Sequence, residues 1–115
     1  MRQSYIIANW KMNQSNIDCE NFSNYIKSNI NNNSSKMIIC PANIHLSKMV
    51  GLFEDFGVSI GSQNVSDKSN GAFTGEISCE MLLDNKINWT ILGHSERRQF
   101  YNETNLIDHD KLENK

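Results

Sequence analysis

The chain has 115 residues, enough for one modest domain but short for many enzyme folds. Its 11 Lys and Arg against 13 Asp and Glu leave a formal net charge of -2, and its only adjacent basic residues are Arg97 and Arg98. Scattered cations offer no stripe that would neutralise a run of phosphates, which argues against nucleic acid as a partner. No window approaches the roughly 18 consecutive apolar residues of a membrane helix.

The N-terminus shows no apolar signal core followed by a small-residue cleavage site. The three cysteines, Cys19, Cys40 and Cys79, are odd in number and far apart, a pattern typical of reduced thiols rather than of a disulfide framework or paired metal ligands. We therefore expect a cytoplasmic chain that has no metal site and no membrane contact.

Residues 5–8 are short, apolar and partly β-branched, which predicts a strand. Ser15 and Asp18 have the spacing of a capping box and predict a helix start. The apolar residues spaced along one face of that helix are Cys19, Phe22, Ile26 and Ile30. Residues 37–40 predict a second strand, which ends at Pro41 because proline cannot donate to a ladder.

We expect Asn43 to cap a second helix and Gly57 to follow its last turn in a left-handed conformation. The buried side of this helix would carry Leu46, Met49, Val50 and Phe53. Residues 58–61 predict a third, weaker strand. A polar loop from residue 63 to about residue 74 then leads to a short third helix that contains Ile77, Met81 and Leu82.

Residues 89–93 predict a fourth strand, and a further helix begins near Asn105. Alternating strands and helices predict an α/β fold with parallel strands and right-handed crossovers. No linker composition divides the chain, so residues 1–115 are interpreted as a single partial domain. An open doubly wound sheet and part of a closed barrel both fit the pattern, but neither glycine-rich nucleotide-binding motif is present.

Polar residues follow the first and fourth predicted strands: Asn9 and Lys11 after one, His94, Ser95 and Glu96 after the other. In parallel α/β folds, sites form where the carboxyl ends of strands converge. Lys11 could attract an anionic substrate, Asn9 could donate a hydrogen bond, and a neutral His94 could donate to a carbonyl that gains charge. Glu96 could pair with Lys11. Alternatively, each is an ordinary surface or helix-start residue.

Four segments of the chain, taken together and in order, resemble the triosephosphate isomerase family. They are ANWKMN at residues 8–13, QNVS at 63–66, GAFTGEIS at 71–78 and ILGHSERR at 91–98. The flanking residues, from about 4 to 115, fit the same family. We interpret His45 and His109, which lie outside these segments, as structural residues.

The resemblance implies a (β/α)₈ barrel of roughly 250 residues, of which this chain would be the first four strands. The family interconverts dihydroxyacetone phosphate and glyceraldehyde 3-phosphate, in glycolysis and gluconeogenesis, without metal or organic cofactor. His94, Lys11 and Glu96 would be catalytic, and Asn9 and Lys11 would bind substrate. His94 would be the neutral electrophile, for which this family is the standard example. Ser95 would have a supporting role.

The resemblance also assigns residues 63–76 to the family's dimer loop. Gln63, Thr74 and Glu76 would belong to the interface, and Thr74 would reach into the active site of the second subunit. Such a homodimer would be isologous, with each subunit giving and receiving the same loop.

The family's glutamate base, its closing lid and its glycine-rich phosphate grip belong to later strands. General acid-base catalysis contributes roughly 10²- to 10⁴-fold, so we expect the chain alone to be nearly inactive. Half a barrel also exposes strand edges, so we expect it to pair with itself or with a chain carrying the second half. The alternatives are a non-catalytic remnant that binds phosphorylated compounds weakly, and a structural partner that engages a full-length isomerase through residues 63–76.

Overall fold

The computed structural model describes residues 4–29 and 35–97. Its strands are β1 (Ser4–Asn9), β2 (Ser35–Cys40), β3 (Val58–Ser62) and β4 (Trp89–Thr90). Its helices are α1 (Asn16–Asn29), α2 (Leu46–Leu52) and α3 (Cys79–Asp84), with a 3₁₀ turn at Asn43–His45 just before α2. The predicted helix near Asn105 lies outside the described residues, as do Ile30, Arg98 and His109.

The four strands form one parallel sheet in the order β1-β2-β3-β4. In a flat sheet the backbones of β1 and β4 would lie about 14 Å apart, with side chains standing perpendicular to it. Instead, the rings of Tyr5 and Trp89, from these two outer strands, approach to 5.9 Å between centroids. The sheet therefore curls like the first strands of a βα-barrel. This confirms the α/β prediction and the four barrel strands that the family resemblance implies, and it excludes the open doubly wound sheet.

The core lies between the sheet and its helices, because helices and strands each bury one apolar side against the other. One buried cluster joins all three helices to β2 and β3. Its members are Cys19, Ile26, Ile39, Leu46, Met49, Phe53, Ile60, Val65, Leu82 and Ile87. The predicted inner faces of α1 and α2 supply half of these residues. At the edge of the core, Trp10 packs edge-on against Phe22, with ring centroids 5.0 Å apart.

The predicted capping box at the start of α1 is present. The backbone N–H of Ser15 donates to Asp18 Oδ2 at 2.9 Å, and the backbone N–H of Asp18 donates to Ser15 Oγ at 3.2 Å. Hydrogen bonds from Ser15 to the Asp18 carboxylate, first from its backbone N–H and then from its hydroxyl, lower the pKa of Asp18. Two orphan donors of the first turn are thereby satisfied.

The predicted limits of the second helix were wrong. Asn43 begins the 3₁₀ turn, and α2 starts at Leu46 without a side-chain cap. At the other end α2 stops at Leu52, because the chain turns through Phe53, which is buried in the core. Asp55, with φ 65°, takes the left-handed conformation that we had assigned to Gly57.

The fourth strand is also shorter than predicted, since its ladder covers only Trp89 and Thr90. Ile91 still donates its backbone N–H to Ser62 O at 3.0 Å, so the chain stays alongside β3 up to the start of the site. Among the described helices, none combines the length and hydropathy that a membrane span requires.

Candidate functional site at the carboxyl ends of the strands

Lys11 and Glu96 meet where the carboxyl ends of β1 and β4 converge. Their side chains form an ion pair, with Lys11 Nζ 3.2 Å from Glu96 Oε2, although the residues are 85 positions apart in the sequence. Both side chains are about half exposed, at 52% and 47%. In that environment the pair adds little to the free energy of unfolding. The pair directs the Lys11 ammonium group toward Glu96.

The backbone around Lys11 is held in an uncommon conformation. Lys11 has φ 56°, in the left-handed region that residues other than glycine seldom occupy. Gln63 donates its side-chain amide both to Lys11 O at 2.8 Å and to Cys40 O at 2.9 Å, which ties the loop to the end of β2. Asn9 Oδ1 accepts the backbone N–H of Lys11 at 2.9 Å. This leaves the amide nitrogen of Asn9 as that side chain's hydrogen-bond donor.

His94 is fixed in one tautomer by its own turn. The backbone N–H of Glu96 donates to His94 Nδ1 at 3.1 Å, so this nitrogen must offer a lone pair. The proton of the neutral ring is therefore on Nε2, which becomes a hydrogen-bond donor. Glu96 Oε1 lies 3.6 Å from the same Nδ1, a contact that is an ion pair only when the ring is protonated. We assign the neutral form because an incoming N–H would be repelled by a protonated Nδ1.

The expected substrate and catalytic residues share one cleft of about 440 Å³. Asn9, Lys11, His94 and Glu96 line it, as do Gln63 and Glu76 from the loop assigned to the dimer contact. Thr74 and Ser95 are exposed and do not line it. The cleft thus brings together a cation, amide donors and a neutral imidazole, a set suited to an anionic substrate with a polarisable carbonyl.

Sequence reasoning missed two residues of this cleft. Arg97 lines it one position beyond Glu96, where we had noted only a pair of adjacent basic residues. Gln63 was assigned to the dimer loop alone, yet its side-chain amide donates to Lys11 O and to Cys40 O. The signal for Arg97 was available, because a helical turn that begins next to His94 turns its following residues toward the same rim. Nothing in the local sequence of Gln63 indicated its bonds, since their acceptors lie 52 and 23 positions away.

The loop at residues 63–76 has an anchored base and an exposed tip. At the base, Ser66 donates its backbone N–H to Ile77 O at 2.8 Å, and Ser62 Oγ lies 2.6 Å from Thr90 Oγ1. At the tip, Gly71 has φ 128°, and Phe73 is 45% exposed. The structure therefore presents the predicted dimer loop outward, beside the cleft.

Comparison with known proteins gives a consistent answer. The sequence profile described as triosephosphate isomerase matches residues 4–114. Curated proteins of that name are 37% identical in Shewanella denitrificans, 40% in Flavobacterium psychrophilum and 40% in Mycoplasma mobile. These alignments cover 97%, 93% and 97% of this chain but only 46%, 43% and 48% of the relatives. The chain thus spans about half the length of the curated relatives that it matches.

Proposed function

The chain belongs to the triosephosphate isomerase family, and on that premise we propose that its cleft forms the anion-binding and electrophilic part of an isomerase site. The substrate would be a triose phosphate, and the reaction the interconversion of dihydroxyacetone phosphate and glyceraldehyde 3-phosphate. The observation that carries the proposal is the arrangement of Lys11, Glu96 and His94. Residues that follow the two outer strands of the sheet meet in one cleft, and Nε2 of the His94 imidazole is a hydrogen-bond donor.

Each group has a distinct task in this proposal. Lys11 attracts the negative charge of the substrate, and Glu96 holds the Lys11 ammonium group in direction. His94 donates Nε2–H to the substrate carbonyl and stabilises the negative charge that develops on its oxygen as the neighbouring carbon loses a proton. Asn9 adds an amide donor at the end of β1.

Proton abstraction from carbon also needs a base. Of the cleft carboxylates in the described part of the chain, Glu96 is paired with Lys11, and Glu76 lies at the base of the exposed loop. Neither matches the family's base by motif, so we assign that role to a segment beyond the matched residues. A general base contributes roughly 10²- to 10⁴-fold. The 115-residue chain by itself is therefore expected to bind substrate but to turn it over very slowly.

We further propose that the loop at residues 63–76 contacts a second copy of the family fold. Large apolar side chains are exposed in the loop and in segments that contribute to the cleft: Met12 is 93% exposed, Ile44, next to the cleft residue Asn43, 86%, and Phe73 of the loop 45%. Exposed apolar groups that gather in a patch mark protein interfaces. A second subunit would cover these side chains in an isologous contact. For the location of the chain, we propose the cytoplasm.

Binding is the direct test, with dihydroxyacetone phosphate titrated into the ¹⁵N-labelled chain and followed by amide shifts. Lys11→Met should weaken binding about ten- to hundredfold, the factor for one hydrogen bond to a charged group. Lys48→Met is the matched control, because Lys48 also pairs with a carboxylate, Glu20 at 2.8 Å, but belongs to α2 and lies outside the cleft. Equal binding by wild type and Lys11→Met would refute the proposed site.

Turnover and association separate this proposal from the two alternatives. Isomerisation is measured beside a His94→Ala chain prepared identically, so that contaminating host enzyme is visible. A non-catalytic remnant predicts no difference between the two, even after a separate chain carrying the remaining strands of the family fold is added. A purely structural partner predicts that deleting residues 63–76 abolishes association with a full-length isomerase while His94→Ala leaves it intact.

A further inference from the structure

The loop that carries Lys11 contains a second residue with unfavourable backbone geometry. Gln14 has φ 81°, and Lys11 has φ 56°. Positive φ is uncommon for residues with a side chain, and such residues persist only where surrounding contacts impose the conformation. Two of them within four positions mean that the shape of this loop depends on bonds from outside it.

Each of these two residues has its carbonyl held by a side-chain N–H from a distant part of the chain. Gln63 holds Lys11 O, as described above. His45, from the 3₁₀ turn after β2, has its Nε2 3.0 Å from Gln14 O, 31 positions away in the sequence. A carbonyl oxygen can only accept, so Nε2 of His45 must carry a proton.

His45 makes this bond from a buried position. The residue is only 8% exposed, and its other ring nitrogen, Nδ1, is buried without a hydrogen-bond partner among the described residues. A buried polar atom without a partner destabilises the fold. The ring is therefore poorly explained as a packing residue, since an apolar side chain would avoid that cost. The bond to Gln14 O accounts for its presence.

We propose that His45 is a positioning residue for the Lys11 side of the cleft. Its Nε2–H holds Gln14 O and keeps the loop in the form that points the Lys11 ammonium at Glu96. Gln63 fixes one end of the strained segment, and His45 fixes the other. The effect of this geometry on substrate binding rests on the proposed function, in which Lys11 contacts the substrate.

A series at position 45 tests the idea. Glutamine places its amide nitrogen near the position of Nε2, whereas asparagine is shorter and places it near Nδ1. His45→Gln should therefore retain the loop, and His45→Asn should lose it. The primary readout is the three-bond HN–Hα coupling and the Cα shift of Lys11 and Gln14, which report φ directly. Ser47→Ala, a change at an exposed residue of α2, is the control.

The second readout is affinity for dihydroxyacetone phosphate. His45→Asn should weaken it about five- to tenfold, the factor that corresponds to one neutral hydrogen bond, and His45→Gln should restore most of the loss. A purely structural role would lower the unfolding midpoint without this difference between the two amides. Unchanged couplings in a folded His45→Asn chain, or equal behaviour of the Asn and Gln variants, would overturn the proposal.

A second variant covers the case in which His45→Asn does not fold. Gln14→Gly removes the cost of positive φ, because glycine adopts that region freely. His45→Asn should then fold in the Gln14→Gly background, because the backbone strain that the bond offsets is gone. A double variant that does not fold would contradict the proposed role of His45. If wild type binds no dihydroxyacetone phosphate, the proposed function fails, but the couplings of Lys11 and Gln14 still test whether His45 holds the loop.

Discussion

β1 and β2 are adjacent strands with similar apolar sequences and opposite exposure. Ile6 and Ile7 of β1 are 51% and 60% exposed, whereas Ile38 and Ile39 of β2 are 1% and 0% exposed. Ile7 and Ile38 are even partners in the register of the sheet. The comparison shows that the burial of an apolar strand depends on its place in the sheet as much as on its composition.

The cause is the number of neighbours. β2 pairs with strands on both sides, while β1, in the part of the chain that the structure describes, pairs only with β2. Successive side chains of a strand point to opposite faces, so the exposure of both Ile6 and Ile7 leaves both faces of β1 uncovered. β1 is held along its length by its ladder to β2, and its carboxyl end is tied further through Trp10 N–H to Cys40 O at 3.0 Å and through the bonds around Lys11.

The largest expected effect comes from the same truncation made in both strands. Ile39→Ala should lower the free energy of unfolding by about 2–5 kcal/mol, because it leaves a cavity in the core. Ile7→Ala should cost less than about 1 kcal/mol, because the side chain is already exposed. Urea unfolding of both variants measures the difference. Equal losses of unfolding free energy would contradict the difference between the strands and would mean that another chain covers β1 in solution.

Alkaline pH should act on the buried strand. Burial raises the pKa of the Cys40 thiol from 9.0 to about 11. The unfolded state therefore loses this proton first, and stability that is fully present below pH 9 falls as the pH rises toward 11. The loss should approach about 2–3 kcal/mol. Burial also raises the pKa of Cys19, so the measurement is urea unfolding against pH in a Cys19→Ala background, with and without Cys40→Ala. Identical slopes in the two chains would contradict the prediction.

Glycine substitutions test how tightly the inner strands pack. A Cβ on Gly61 of β3 would lie 3.0 Å from Cys40 Sγ and 3.0 Å from Trp89 Cβ, so Gly61→Ala should destabilise the fold by about 1–3 kcal/mol. Gly51 of α2 has no atom within 4 Å of its added Cβ, so Gly51→Ala should stabilise by about 0.5–1 kcal/mol. Opposite shifts of the thermal midpoint are expected, and shifts of the same sign would show that the inner strands can relax.

The smallest expected change in stability comes from Ile7→Lys. An exposed position tolerates this charge, and the free energy of unfolding should change by less than about 0.5 kcal/mol. Charged residues block pairing at strand edges, so the variant should stay monomeric at higher concentrations than wild type. Sedimentation velocity over a concentration series measures this. An unchanged association constant would show that the exposed face of β1 takes no part in association.

Much of the fold could be predicted because the signals were local. The alternation of strands and helices, the capping box of Ser15 and Asp18, and the inner face of α1 each depend on residues a few positions apart. The pairing of Lys11 with Glu96 was also anticipated, because parallel strands direct their carboxyl ends to one rim. The limits of α2 were mispredicted, since the packing of Phe53 in the core outweighed the capping preferences of Asn43 and Gly57.

The sequence by itself determined the family, the order of the parallel strands and helices, and which residues stand at the strand ends. Only the tertiary structure decided that Ile7 is exposed while Ile39 is buried, and that Gln63 and His45 bond to the backbone carbonyls of Lys11 and Gln14. The physical reason is the range of the interactions. Propensity, capping and periodicity act between near neighbours in the chain, whereas burial and cross-loop hydrogen bonds depend on where segments tens of residues apart are placed by the curled sheet.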